Sequence, residues 1–190
     1  MICGTLSRGA THGQGEAERL STSRGWSATL ATVAAVALLG APLASAAERQ
    51  TPSGYAVPRY VTLKFGKVNA RAGPGDDHRL LWVYRTKGLP VQVVAETSEW
   101  RRVCDPEGGL AWVHKRVTDG QRAVINLQNR PAPLLQKPRT GAELSAYLNV
   151  RAMADLDRCE KGWCKVKAGR ASGWSREGAL WGTNERPQCR

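Results

Sequence analysis

Few side chains in this 190-residue chain are equipped for covalent chemistry, and their spacing decides what they can do. The cysteines are Cys3, Cys104, Cys159, Cys164 and Cys189; the imidazoles are His12, His78 and His114. A cysteine nucleophile needs a base within hydrogen-bond reach. Cys104 and His114 fall in adjacent strands of a predicted hairpin, which brings them near each other without a catalytic pattern. Cys159 and Cys164 flank a tight turn containing Gly162, so their side chains can face each other across neighbouring strands. The spacing is not Cys-x-x-Cys and no His lies close by, which favours a structural disulfide over redox or metal chemistry. Cys104 and Cys189 then pair by elimination. Glycine-rich phosphate loops and His/Asp/Glu sets with metal spacing are absent from the sequence, so neither a cofactor nor a metal is expected. For non-covalent chemistry Arg71 stands out, because its planar fork can take a carboxylate bidentately. It can equally hold its own loop by pairing with Asp76 or Asp77.

These residues sit in a chain of short strands. Val68-Asn69-Ala70-Arg71-Ala72-Gly73-Pro74-Gly75 follows Val61-Thr62-Leu63 and precedes Leu81-Trp82-Val83-Tyr84, Val91-Gln92-Val93-Val94 and Leu110-Ala111-Trp112-Val113. Short β-branched and aromatic runs broken by Gly, Pro and Asp predict a small antiparallel sheet. Trp100-Arg101-Arg102-Val103 runs through a Gly-rich turn into the Leu110 strand as a hairpin. Successive side chains alternate between faces, so an inward Val103 places Trp100 and Arg102 together on the other face. Trp82 alternates with Val83 and is a candidate for either face.

The amino-terminal stretch reads differently. Arg8, Arg19 and Arg24 precede an Ala/Leu/Val run ending in Ala44-Ser45-Ala46, the pattern of a cleaved export signal over residues 1–46. The run is shorter than the ~20 residues of a comfortable span, so no stable membrane span is expected after cleavage. Residues 47–58 form a flexible Pro/Gly/Ser lead-in. Export leaves four cysteines, an even number suited to disulfides in a periplasmic or secreted protein. A net charge of +12 argues for an anionic neighbourhood. Export removes the usual nucleic acid pool, so no nucleic acid partner is expected.

The Val-Asn-x-Arg-x-Gly-Pro loop, the Trp100-x-x-Val103 strand and the turn into Trp112-Val113 together resemble the bacterial SH3-like (SH3b) family. The resemblance implies an all-β fold of two tandem small SH3-like β-barrels after a signal peptide. Unit one covers residues 59–119, a degenerate unit two covers 120–182, and 183–190 form a tail. Trp163-Cys164-Lys165-Val166 and Gly173-Trp174-Ser175 answer Trp100–Val103 and Ala111–Val113, a period of about sixty residues. Gln128 to Gly141 lacks the loop motif. Leu148-Asn149-Val150-Arg151 lies too close to Trp163 to be its counterpart.

In such barrels the ligand surface lies between the long first loop and a neighbouring hairpin. The resemblance makes Asn69, Arg71, Tyr84, Trp100 and Trp112 candidates for that surface, and strand parity adds Arg102. It equally allows these indoles to be packing residues. The resulting expectation is an exported, non-catalytic binding protein that recognises cell-wall (peptidoglycan) peptide or another envelope component. A scaffold that binds an envelope protein is the alternative, and a Cys-His hydrolase comes after it.

Overall fold

A computed structural model of the chain describes residues 51–184 and 186–189. The predicted signal peptide over residues 1–46 lies outside the described residues.

Thirteen strands account for nearly all the regular structure among these residues. The first seven are β1 (Arg59–Leu63), β2 (Val68–Arg71), β3 (Leu80–Tyr84), β4 (Pro90–Glu96), β5 (Trp100–Cys104), β6 (Leu110–His114) and β7 (Thr118–Asp119). They form one sheet in the order β3-β2-β6-β5-β4-β1-β7. The other six are β8 (Ala123–Ile125), β9 (Ala132–Leu135), β10 (Leu144–Leu148), β11 (Met153–Glu160), β12 (Trp163–Ala168) and β13 (Ala171–Arg176), ordered β10-β9-β13-β12-β11-β8. A single 3-10 turn follows the matching strand of each sheet, Lys115–Val117 after β6 and Glu177–Ala179 after β13. The fold is all-β with two SH3-like units.

Alternation explains the strands. In β6, Ala111 and Val113 are buried while Leu110, Trp112 and His114 are only half-buried. Val61 from β1, Val93 from β4, Val103 from β5 and Tyr84 from the far edge strand β3 share one apolar cluster. Side chains from widely separated strands can meet there only if the sheet folds over on itself, as in a small barrel. The second sheet does the same around Val124, Leu134, Leu148 and Val166. The β11–β12 turn places Lys161 at φ 50° and Gly162 at φ 77°, the left-handed pair that a two-residue hairpin turn requires.

The tail returns to the first unit. Gln92, fully buried on β4, donates from Nε2 to the carbonyl of Arg186 at 2.8 Å, and its Oε1 accepts from the Gln188 amide at 2.9 Å. Beyond that point Cys189 is bonded to Cys104, with Cα atoms 5.6 Å apart. The other bridge joins Cys159 to Cys164 across the β11–β12 hairpin, where the two are direct cross-strand partners. Tyr60 and Trp181 meet edge to face at 5.2 Å, and Arg151 pairs with Glu107.

Candidate functional site

Strands β2, β6 and β5 are neighbours, and their outward side chains make one face. Val68 and Ala70 of β2 point inward, which leaves Asn69 and Arg71 outside. Arg71 lies opposite Trp112, and Trp112 lies opposite Arg102, so a guanidinium flanks the indole on each side. One residue pair further along, Trp100 lies opposite His114, and the two rings approach to 5.3 Å at a 56° tilt. Beside them is a hollow of about 230 Å³ lined by Lys67, Asn69, Arg71, Asp76, Trp100, His114 and Arg116.

Several of these groups are held in place. Arg71 donates to the His78 carbonyl at 2.9 Å and meets Asp76 at 3.2 Å, so the loop it belongs to fixes its fork. That loop is tight, because a Cβ on Gly73 would come within 2.6 Å of the His78 ring. His114 Nδ1 accepts from the Arg116 amide at 3.2 Å, which directs Nε2 toward Glu99, 3.8 Å away. A neutral ring therefore carries its proton on Nε2. The Glu99 carboxyl is held below the usual carboxylate range, first by the hydrogen bond from Lys115 at 2.7 Å. Asp76 offsets one of the three cations at the hollow, and Lys67 and Arg116 leave it positive.

Of the six residues expected to bind ligand, Asn69, Arg71 and Trp100 converge on the hollow, and Arg102 and Trp112 lie on the same outer face beside it. Tyr84 does not belong there. It pairs with inward-facing Val68, lies 8% exposed in the core, and donates its hydroxyl to Asp105 Oδ2 at 2.9 Å. Burial, and then the Asp105 charge, push its phenol well above the usual range. Trp82 packs against the same core with its ring edge-on to Tyr84 at 6.0 Å. Sequence reasoning set His114 aside for want of a nucleophile and did not reach Lys67. The signal for His114 was present, since it shares the parity of Trp112 two residues before it.

The Cys104–His114 pairing fails on register. Cys104 pairs with Leu110 at one end of the hairpin and His114 pairs with Trp100 at the other. Cys104 is also fully buried and bonded to Cys189, so it offers no thiolate.

The second sheet repeats this layout with other residues. Leu135, Trp174 and Lys165 occupy the row held by Arg71, Trp112 and Arg102, and Trp163 with Arg176 replaces Trp100 with His114. A family model for the bacterial SH3 domain matches residues 64–120 and, a second time, residues 128–182. The chain belongs to the bacterial SH3 domain family. Bacterial SH3 domains are binding modules, and what these two bind must be argued from their own side chains.

In the second SH3 domain the indoles are covered. Arg176 lies over Trp163 at 4.1 Å, Arg158 lies over Trp174 at 5.0 Å, and the two rings are 7% and 6% exposed. Among solved structures the chain resembles NlpC2 and NlpC1 from Trichomonas vaginalis, at 14% and 15% identity and a TM-score of 0.30 in each case. The matches cover 66% and 68% of this chain but 48% and 47% of those, so the chain spans about half their length. No curated protein matches it.

Proposed function

We propose that the outer face of the first SH3 domain binds an extended ligand with a free carboxylate, such as the peptide stem of peptidoglycan, in an extracytoplasmic setting. The reading rests on one observation: Asn69, Arg71, Trp100 and His114 come together from three adjacent strands around a hollow whose charge is positive. A tilted indole–imidazole pair offers apolar contact area at small entropic cost. Arg71 and Arg116 offer charge-assisted hydrogen bonds to a carboxylate, and Asn69 offers both a donor and an acceptor to peptide groups. The role is recognition without turnover. Two disulfides fit an oxidising compartment, and among the described residues no helix is long and apolar enough to cross a membrane.

Retention on purified cell wall tests the proposal. Wild type is retained, and combined Arg71→Ala and Trp100→Ala lowers the affinity by at least about tenfold, the loss expected for one buried charge-assisted contact. Equal retention of both proteins removes the face as the site. Capture of an envelope protein without retention on wall points instead to a scaffold.

A further inference from the structure

The two domains correspond position by position around their 3-10 turns. The Lys115 amide donates to the Glu99 carbonyl at 2.8 Å, and the Glu177 amide donates to the Gly162 carbonyl at 3.0 Å. Thr62 pairs with Asp119 just as Ile125 bridges to Trp181. Side-chain size at these matched places differs sharply. Glu99, Arg116 and Val117 of the first domain are replaced by Gly162, Gly178 and Ala179 in the second. Losing two side chains and shortening a third along one wall opens a cavity of about 600 Å³, lined among others by Trp181, Gln128, Glu177 and Asn184. That volume falls within the roughly 300–1,000 Å³ of small-ligand sites.

The walls are fixed. Asn126, fully buried, donates to the carbonyls of Arg130 at 2.9 Å and Leu148 at 3.0 Å, and accepts from the Gln128 amide at 3.0 Å. These bonds pin the loop that carries Gln128. The opposite wall is the tail, tied down by Gln92 and by the Cys104–Cys189 bond. Tyr60 braces Trp181 edge-on.

The lining chemistry is unlike that of the first domain's face. Among the described residues no Lys or Arg side chain lines the cavity, the Glu177 carboxylate makes no ion pair, and the Gln128 side-chain amide makes no hydrogen bond. An indole plate beside two amides and an acceptor carboxylate suits a neutral ligand with one apolar face and many hydroxyls. That description fits a pyranose ring. We propose that the second domain carries a binding site for a neutral saccharide, walled by Trp181, Gln128, Glu177 and Asn184. The site is separate from the carboxylate-binding face and does not depend on it.

NMR titration of the full chain with chitotetraose and with cellotetraose tests this. The expected result is saturable perturbation of the Trp181 indole N–H and the Gly162 and Gly178 amides by one or both sugars. Gly178 lines the cavity and a Cβ there meets no atom within 4 Å, so Gly178→Trp is the variant chosen to fill it, its folding checked by the amide dispersion of its own spectrum. This variant is expected to bind about tenfold more weakly or worse, a loss of about 1.4 kcal/mol, while Arg71→Ala binds like wild type. No perturbation by either sugar, perturbation confined to Trp100 and His114, or undiminished binding by Gly178→Trp overturns the proposal. Loss of wall retention in Arg71→Ala with sugar binding intact separates failure of one site from failure of the other.

Discussion

At one cross-strand position the two domains are stapled by different chemistry. In the first, Glu96 on β4 faces Arg101 on β5; in the second, Cys159 on β11 faces Cys164 on β12. The side chain of Glu96 is 1% exposed, meets Arg59 at 2.5 Å and Arg101 at 3.6 Å, and accepts from the Ser53 amide at 3.1 Å. Burial alone would raise its carboxyl; hydrogen bonds from Ser53, Arg59 and Thr51 outweigh burial and hold it down to about 2. The same hairpin site is thus secured by charge in one copy and by a covalent bond in the other. Acid should loosen the first and reductant the second, although the backbone pairing is shared.

The largest effect is expected at the bond that ties the copies together. Cys104 and Cys189 are 85 residues apart, against five for Cys159 and Cys164. Chain entropy then assigns about 4.5 kcal/mol to the long bridge and about 2 kcal/mol to the short one. Urea unfolding of the two double-serine variants measures both, and equal losses would mean that loop length is not what sets their worth.

The indoles come next. Trp163→Ala is expected to cost about 4 kcal/mol of stability, the range for emptying a large aromatic site in a core. Trp100→Ala should cost about 1 kcal/mol or less, typical of a surface change, and should act on wall binding instead. Thermal unfolding and retention assays on the same pair of variants separate a packing indole from a binding one. Similar stability losses in both would erase the distinction between covered and open faces.

The last effect appears only in acid. The carboxyl of Glu96 is depressed from 4.5 to about 2 on folding. Its contribution is therefore complete above pH 4.5 and fades as pH falls from 4.5 toward 2, by about 2 kcal/mol. Residue-resolved NMR in that window should show amides of β4 and β5 broadening before those of β11 and β12. Glu96→Gln should remove this difference, and simultaneous loss in both hairpins of the wild type would contradict it.

Most of the sheet could be read from alternation and turn residues. The run from Leu110 to Val113 became β6, and Val103 inward with Arg102 outward followed from parity alone. The duplication showed in the repeated Trp positions, and the missing loop motif showed that the second copy had diverged. What could not be read was set by contacts remote in sequence. Edge strand β3 has no clean alternation, so nothing local marked Tyr84 as an inward residue committed to Asp105. Arg176 and Arg158 cover Trp163 and Trp174 by stacking, which has no spacing signature. Gln92 looked like a polar interruption in an apolar strand; its partners lie more than ninety positions later.

The covalent link from Cys104 to Cys189 also decides how the molecule carries load. A force applied between β1 and the segment at Cys189 reaches the bridge through β4 and β5 and never has to run through β8 to β13. The later copy lies in a closed side loop, sheltered from tension. A protein stretched between two anchors would extend by peeling the first sheet, while the pairing among β8 to β13 stayed intact.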